Sequence, residues 1–280
     1  MFSKLANSWD LVKASARVLA ADKELLIFPI LSSIGVLIVT LTFALPFFLS
    51  NFFDSLVSDR MQVAGFLVMF LFYIVQYTVI FFANTALVGA ALIRLRGGDP
   101  TVRDGMRIAF SKLGPILGYA LISATVGMLL RTISQRSRGL GRFIISLIGF
   151  TWNIATYLVV PVLAIEDVGP VDAIKRSVAL LKKTWGEQIA GNFGLGAAFG
   201  LIYVVIILLG LAGVFLATAI FNYTWVYVFI GVMVVLLLTA TGLINSTLSG
   251  IYSAAVYEYA TTGETNRFFD SQVVQNTFYH

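Results

Sequence analysis

The sequence predicts an all-α integral membrane protein: a polytopic bundle of about six transmembrane helices with three cytoplasmic in-plane amphipathic helices. Hydrophobic residues make up 59% of the chain and charged residues only 12%, against roughly a quarter charged in ordinary soluble domains. The long uncharged stretches do not alternate over about ten residues, as the strands of a membrane β-barrel would. Lipid must therefore solvate most of this apolar surface.

The transmembrane spans follow from the uncharged stretches, because a helix needs about 20 residues to cross the hydrocarbon. Residues 188–257 contain no ionised group, and this length requires two crossings. The polar, aromatic stretch 221–225 is typical of the hairpin between them. We expect a single membrane domain over 1–280, with an amphipathic segment, six spans and a cytoplasmic tail at about 2–23, 25–49, 61–93, 113–131, 143–165, 188–219, 226–257 and 258–280.

The distribution of Lys and Arg over the connections predicts the orientation. With the N-terminus inside, 14 of the 19 basic residues lie in cytoplasmic segments and five lie outside. We therefore expect a multi-pass protein of a prokaryotic plasma (inner) membrane with both termini in the cytoplasm. The same bias accounts for the net charge of +5, so no nucleic-acid partner is expected.

Four of the five outside charges form a basic outer loop, and they have no acidic residue among them. Three interpretations of this loop stay open. The arginines could snorkel to lipid headgroups at two helix ends, or they could form a basic mouth that attracts anions to a pore between subunits. Alternatively, an adjacent segment does not fully cross the membrane. The residues are Arg131, Arg136, Arg138 and Arg142.

An internal repeat precedes the first, third and fifth spans. Each copy has an acid, a base three residues later, a small residue two further on and a leucine four beyond that. An acid and a base at this spacing pair on one face of a helix. We therefore predict three units, each an in-plane amphipathic helix followed by a transmembrane hairpin. The copies are Asp10, Lys13, Ser15 and Leu19; Asp104, Arg107, Ala109 and Leu113; and Asp172, Lys175, Ser177 and Leu181.

The composition argues against an enzyme. Cysteine is absent and the single histidine is the last residue, His280, so thiolate and imidazole chemistry lack their raw material. No predicted span carries a charge near its centre, which argues against an ion-coupled pump. We predict no catalytic residue, no cofactor and no metal site.

Amides and hydroxyls are what remains at membrane depth. Such groups usually form hydrogen bonds between helices, and lining of a pore is the alternative. The candidate pore or polar packing residues are Gln76, Asn84, Asn153, Asn192 and Asn245. Gly196 and Gly200, four residues apart, are candidates for close helix packing within or between subunits.

Four strings together suggest a family. They are GGDPT at 97–101, EDVGP at 166–170, KTWGEQ at 183–188 and YATTGE at 259–264. With their flanking residues they resemble a widespread prokaryotic family of polytopic membrane proteins defined only as a domain of unknown function. The resemblance extends over nearly the whole chain and implies the same helical membrane fold, but no activity. More distantly, the amphipathic segments resemble membrane domains attached to some glycerophosphodiester phosphodiesterases, whose catalytic residues have no match here.

Two functions remain. The polar but uncharged helix faces, the basic outer loop and the glycine-rich helix favour an oligomeric channel or passive permease for small ions or solutes. The alternative is a non-enzymatic scaffold or stress-related component, in which the three basic helices bind anionic headgroups on the cytoplasmic side, or partner proteins. Membrane lipids and further copies of the chain are the expected partners.

Overall fold

The computed structural model describes residues 2–49, 62–220, 223–263 and 268, and every regular element in these ranges is a helix. Side chains are described from residue 12 onward, except at 46–49, 62, 183–194, 197, 219 and 220. The helices are α1 (Phe2–Ala21), a 3₁₀ helix (Lys23–Leu26), α2 (Ile27–Leu49), α3 (Gln62–Leu95), α4 (Val102–Ser111), α5 (Leu113–Arg136), α6 (Leu140–Ala155), α7 (Val159–Ile165), α8 (Pro170–Ile220) and α9 (Thr224–Thr262).

Six segments of the described chain are long and apolar enough to cross a membrane. They are Lys23–Leu45, Val63–Leu95, Leu113–Arg136, Leu140–Ile165, Ala198–Thr218 and Thr224–Thr262. The prediction of an all-α polytopic bundle with six membrane helices is thus confirmed, and the protein is a multi-pass membrane protein. The predicted hairpin at 221–225 falls partly on residues outside the described part of the chain.

Prolines determine where the amphipathic segments separate from their spans. A proline ring clashes with the carbonyl four residues earlier and lacks the N–H of a helix interior. Pro29 follows the 3₁₀ helix that separates α1 from α2, and Pro115 follows the break at Lys112 between α4 and α5. No proline follows Pro170 in the third unit. The third segment is accordingly not a separate helix, because α8 runs unbroken through 51 residues into the fifth span.

The fourth span is broken in its second half. Helix α6 ends at Ala155 and α7 begins at Val159, just ahead of Pro161, which has no N–H to donate to the carbonyl of residue 157. The side chain of Ser177 fills this break from α8. Its hydroxyl donates to the Ala155 carbonyl at 2.7 Å and accepts from the Leu158 amide at 3.1 Å, so these two backbone groups beside the break have partners.

The three units close into a ring. Unit one comprises 2–95, unit two 102–165 and unit three 170–262. Helix α4 of unit two packs on α3 of unit one, the first turns of α8 in unit three pack on α7 of unit two, and α1 of unit one packs on α8 and α9 of unit three. Each amphipathic segment therefore contacts the returning span of the preceding unit, and α3 lies at the centre against α2, α4, α5, α7 and α9.

The buried core lies at the end of the bundle where these three segments meet. Its largest fully buried side chains include Phe28, Leu92, Leu158 and Leu180. The small residue of each repeat copy points into this core: Ser15, Ala109 and Ser177 are all 0% exposed. The far halves of the spans differ, since α6 has no buried residue and most large side chains of α8 beyond residue 200 are exposed. Lipid or other subunits must cover them.

Candidate functional site

Ion pairs tie the units together at the packed end of the bundle, which we call the charged end (residues 12–28, 92–113, 164–182 and 255–262). Arg94 at the end of α3 makes four contacts. Its guanidinium pairs with Asp99 at 2.9 Å and with the buried Asp22 at 3.4 Å. It also donates to the carbonyls of Ala21, at 3.0 Å, and Gly98, at 3.2 Å. This arginine therefore fastens the junction of α1 and α2 to the end of α3.

Glu166 and Glu258 join the returning spans of the second and third units. The Glu166 carboxylate accepts from Arg176 Nε at 3.0 Å and from the Tyr257 hydroxyl at 3.1 Å. Glu258 accepts two donors of Arg96 in a fork, with the shortest distance 2.8 Å. Bidentate pairs of this kind fix geometry as well as charge. These contacts link α3, α7, α8 and α9.

Lys112 connects the hinge between α4 and α5 to the segment that follows α7. Its ammonium lies 3.2 Å from the Asp167 carboxylate and donates to the Glu166 carbonyl at 3.1 Å. The acids of the charged end thus have structural roles, because each described one is engaged by a base, a cap or a backbone amide.

Helix α4 begins with a complete capping box. The Thr101 hydroxyl accepts from the Asp104 amide, and the Asp104 carboxylate accepts from the Thr101 amide at 3.0 Å. The Thr101 hydroxyl also donates to that carboxylate at 2.6 Å. These hydrogen bonds hold the pKa of Asp104 below its usual value, since they favour the ionised form. Glu24 accepts from the Val102 amide at 3.1 Å, so the start of α4 is fixed to the first unit.

The amphipathic segments present cations outward from the charged end. The predicted i, i+3 pairs are present in the two described copies: Asp172 and Lys175 lie 2.9 Å apart, and Asp104 and Arg107 lie 3.9 Å apart. Further bases on these segments are exposed. They are Lys13 and Arg17 on α1, Lys23 beside it, Arg103 and Arg107 on α4, and Lys175, Arg176 and Lys182 on α8. Together they form a cationic rim that can attract anions.

The basic outer loop lies at the opposite end of the second hairpin. Because α5 has 24 residues, about 36 Å separates its ends at 1.5 Å per residue. The described side chains of Arg131, Arg136, Arg138 and Arg142 are all exposed, and Arg131 donates to the Tyr73 hydroxyl. The interpretation of this loop stays a prediction.

An aromatic ladder leads from Arg131 toward the core. Tyr73 stacks on Tyr77 with ring centroids 6.1 Å apart, and Tyr77 stacks on Phe81 at 5.6 Å. Phe81 then meets Tyr119 of α5 at 4.5 Å. The spacing of four residues puts the first three rings on one face of α3. Gln76 lies beside this ladder, and its carbonyl oxygen is buried without a hydrogen-bond partner.

The other predicted polar residues are distributed over several helices. Asn84 and Asn245 are half-buried on α3 and α9, and Asn153 is exposed on α6. The side chain of Asn192 lies outside the described residues. Whether any of these amides lines a pore stays a prediction.

The predicted packing glycines do not meet a described neighbour. A Cβ on Gly196 or Gly200 would have no contact within 4 Å, so this surface is open among the described residues. Close packing of α8 against α9 occurs further along, where a Cβ on Gly210 would lie 2.6 Å from Val234. The sequence analysis did not single out Gly210, which lies on the same helix ten residues beyond Gly200.

Sequence comparison now gives the family. The model of a family of unknown function, DUF6159, matches residues 63–268, which is well over half of the chain. The chain belongs to the DUF6159 family. The match begins at α3, so α1 and α2 precede it, and it includes the whole of α4 to α9. No curated protein matches the chain. The predicted resemblance to an uncharacterised membrane family over most of the chain is thereby confirmed.

Sequence reasoning missed the inter-unit ion pairs of this DUF6159 chain. The signal was present, because Arg94, Arg96, Glu166 and Glu258 stand at the same ends of three returning spans. Their pairing depends on the ring closure, however, and the partners Arg96 and Glu258 are 162 residues apart. Charge counting for the orientation uses only bases, Arg94 and Arg96 among them, and does not predict which acids they pair with.

Proposed function

We propose that this DUF6159 chain is a non-enzymatic membrane scaffold that gathers anionic lipids at its charged end. The observation that carries the proposal is the cationic rim, to which all three units contribute while the acids of the same end are engaged in ion pairs and caps. Each Lys or Arg close to an anionic leaflet contributes about 1 kcal/mol to membrane attraction. Several such residues on one rigid end therefore favour anionic over zwitterionic headgroups.

The test compares lipid preference in two matched variants. Purified protein in detergent is titrated with phosphatidylglycerol and phosphatidylcholine, and retained lipids are counted by native mass spectrometry. The rim variant replaces Arg17, Lys23, Lys175 and Lys182 with Gln, whereas the control replaces the four arginines of the basic outer loop. We expect the rim variant to lose most of its preference for phosphatidylglycerol and the control to keep it. An equal loss in both variants contradicts the proposal.

The proposed orientation places the charged end in the cytoplasm of a prokaryotic cell, with both termini on that side. The chain has no cysteine, so single cysteines report position without background. Ser111 lies at the charged end and Gln135 at the far end of α5, and both are exposed. In intact cells a membrane-impermeant maleimide should label the Gln135→Cys variant and spare Ser111→Cys until the cells are lysed. The reverse pattern overturns the orientation.

A second candidate function is an oligomeric channel or passive permease. The unpartnered Gln76 oxygen and the ladder of Tyr73 and Tyr77 favour it, because they form a polar line from the exposed Arg131 into the bundle. The open surface at Gly196 is the proposed contact between subunits. Proteoliposomes should then pass a small anion, and Arg131→Gln should slow that flux. No flux of anions, cations or neutral osmolytes through the reconstituted protein refutes this function.

A further inference from the structure

An apolar groove runs along the bundle next to the charged end. It lies between α2 and α3, has a volume of about 370 Å³ and is also lined by α4. Phe28 and Leu31 line it from α2, Phe82 from α3, and Met106 and Phe110 from α4. The volume falls in the range of about 300–1,000 Å³ that is typical of small-molecule sites.

The lining chemistry fits a hydrocarbon chain. The lining is almost entirely carbon, and the hydroxyl of Thr78, one of its few polar groups, already donates to the Ile74 carbonyl at 2.7 Å. Leu31 is 43% exposed and Phe110 is 61% exposed, so the groove opens outward between α2 and α4. In a membrane this opening faces acyl chains rather than water.

Two cations stand on the same face of α4 as the groove-lining residues. Arg103 is followed by Met106, Arg107 and Phe110 at spacings of three, four and seven, which share one helical stripe. Arg103 is exposed, and the Arg107 side chain is 69% exposed. The contact of Arg107 with Asp104 is long, at 3.9 Å, and Asp104 is occupied by the cap of Thr101. Both guanidiniums can therefore reach a phosphate above the groove.

We infer that this groove holds one acyl chain of an anionic phospholipid, whose headgroup phosphate binds Arg103 and Arg107. The inference rests on the proposed lipid-gathering function and gives it a specific site. The charge complementarity at the mouth and the hydrocarbon lining select a molecule with a phosphate and a long chain together. A free phosphate would leave the groove empty, and a zwitterionic lipid would lack the net charge that the two arginines favour.

The experiment uses two adjacent serines of α2. Ser32 lines the groove, whereas Ser33 is exposed on the next position of the helix. The variant Ser32→Phe fills the groove, and Ser33→Phe adds the same ring outside it. Purified chains are delipidated and titrated with phosphatidylglycerol, and binding of the first lipid is followed by native mass spectrometry. Ser32→Phe should weaken the tightest phosphatidylglycerol site at least tenfold, and Ser33→Phe should leave it within about twofold.

The headgroup is tested with charge variants. The double variant Arg103→Gln with Arg107→Gln should weaken phosphatidylglycerol binding at the same site roughly 30-fold, because it removes two basic residues that each attract the lipid phosphate. The control Lys175→Gln with Lys182→Gln removes equal charge from α8, away from the groove, and should retain the site. Inorganic phosphate should not displace phosphatidylglycerol from the wild-type protein or from the variants. Helical circular dichroism on heating checks that each variant folds, and Ser32→Leu replaces Ser32→Phe if the larger ring prevents folding.

The outcomes separate this site from the general proposal. The groove is refuted as the lipid site if Ser32→Phe and Ser33→Phe weaken phosphatidylglycerol binding equally. It is also refuted if only the arginine variants weaken that binding. In either case the rim variant of the previous section can still lose its anionic preference, which leaves the scaffold proposal standing. If the rim variant keeps its preference while the groove variants lose the tight site, the groove stands and the gathering function fails.

Discussion

Replacement of Ser177 by alanine tests whether a side chain from the third unit stabilises the break in the fourth span. The hydroxyl is fully buried and serves two backbone groups, the Ala155 carbonyl at 2.7 Å and the Leu158 amide at 3.1 Å. In the variant both groups stay buried without a partner, at a cost of about 1–3 kcal/mol each in soluble proteins. Membrane helices lose less, about 0.6 kcal/mol per hydrogen bond on average.

The expected loss for Ser177→Ala is therefore about 1–3 kcal/mol in the free energy of unfolding. The repeat supplies a matched control. Ser15 occupies the same position of the first copy and is equally buried, but its hydroxyl has no hydrogen-bond partner. Ser15→Ala removes an unsatisfied polar atom, so its effect should be neutral or slightly stabilising. The second copy already carries alanine there, at Ala109.

Both variants are measured by reversible unfolding in mixed micelles of mild detergent and dodecyl sulfate, followed by circular dichroism. The reasoning is refuted if the two serine variants lose the same free energy, because the loss would then reflect the volume of a hydroxyl and not its bonds. A loss of unfolding free energy in Ser15→Ala alone would mean that the buried serine of the first unit is the stabilising one, which also contradicts the reasoning.

Three further predictions concern the charged end. Gly105→Ala should destabilise the fold by about 1–3 kcal/mol in thermal unfolding, because its Cβ would lie 2.7 Å from the backbone carbonyl oxygen of Ala86. Its control Gly114→Ala has open space and should gain about 0.5–1 kcal/mol. Asp104 has a lowered pKa, so its stabilising effect is complete above its ordinary pKa of about 4 and is lost as the pH falls through the lower folded value. When the melting temperature is measured at decreasing pH, it should decline less for Asp104→Asn than for the wild-type protein. Glu258→Gln should cost only about 0.5–1 kcal/mol in chemical unfolding, and a loss above 3 kcal/mol would contradict this.

The fold was predictable wherever one residue type dominates the physics. Uncharged length gives the six spans, since lipid tolerates few charges, and the i, i+3 spacing gives the ion pair of Asp172 with Lys175. The breaks between α4 and α5 and between α6 and α7 were harder to predict from the sequence. Pro115 and Pro161 mark them in the sequence, but whether a proline kinks, breaks or merely starts a helix depends on whether another element satisfies the freed carbonyl. At the second break Ser177 does this for the Ala155 carbonyl, from 22 residues further along the chain.

The candidate site was predictable in its parts and not in its assembly. Charge counting located the basic segments, and helical spacing gave their faces. The groove depends on where α4 lies against α2 and α3, and this position is set by contacts between distant residues. Gly105 lets Phe28 and the Ala86 carbonyl approach α4 closely, and Glu24 holds its first amide. No periodicity in a single sequence reports such cross-unit distances.

Because the three units close into a ring, the charged end of the bundle is tightly packed and the outer halves of the spans are not. At the charged end, each unit is held by the next through buried small residues, ion pairs and caps, so a large substitution there disturbs three elements at once. Beyond residue 200 of α8 and along α6, most large side chains are exposed. Interactions with lipids or further subunits can therefore vary on the outer halves without disturbing the core. The proposed recognition of a headgroup by Arg103 and Arg107 depends on fixed geometry, and it lies at the charged end, where contacts between the units hold the backbone.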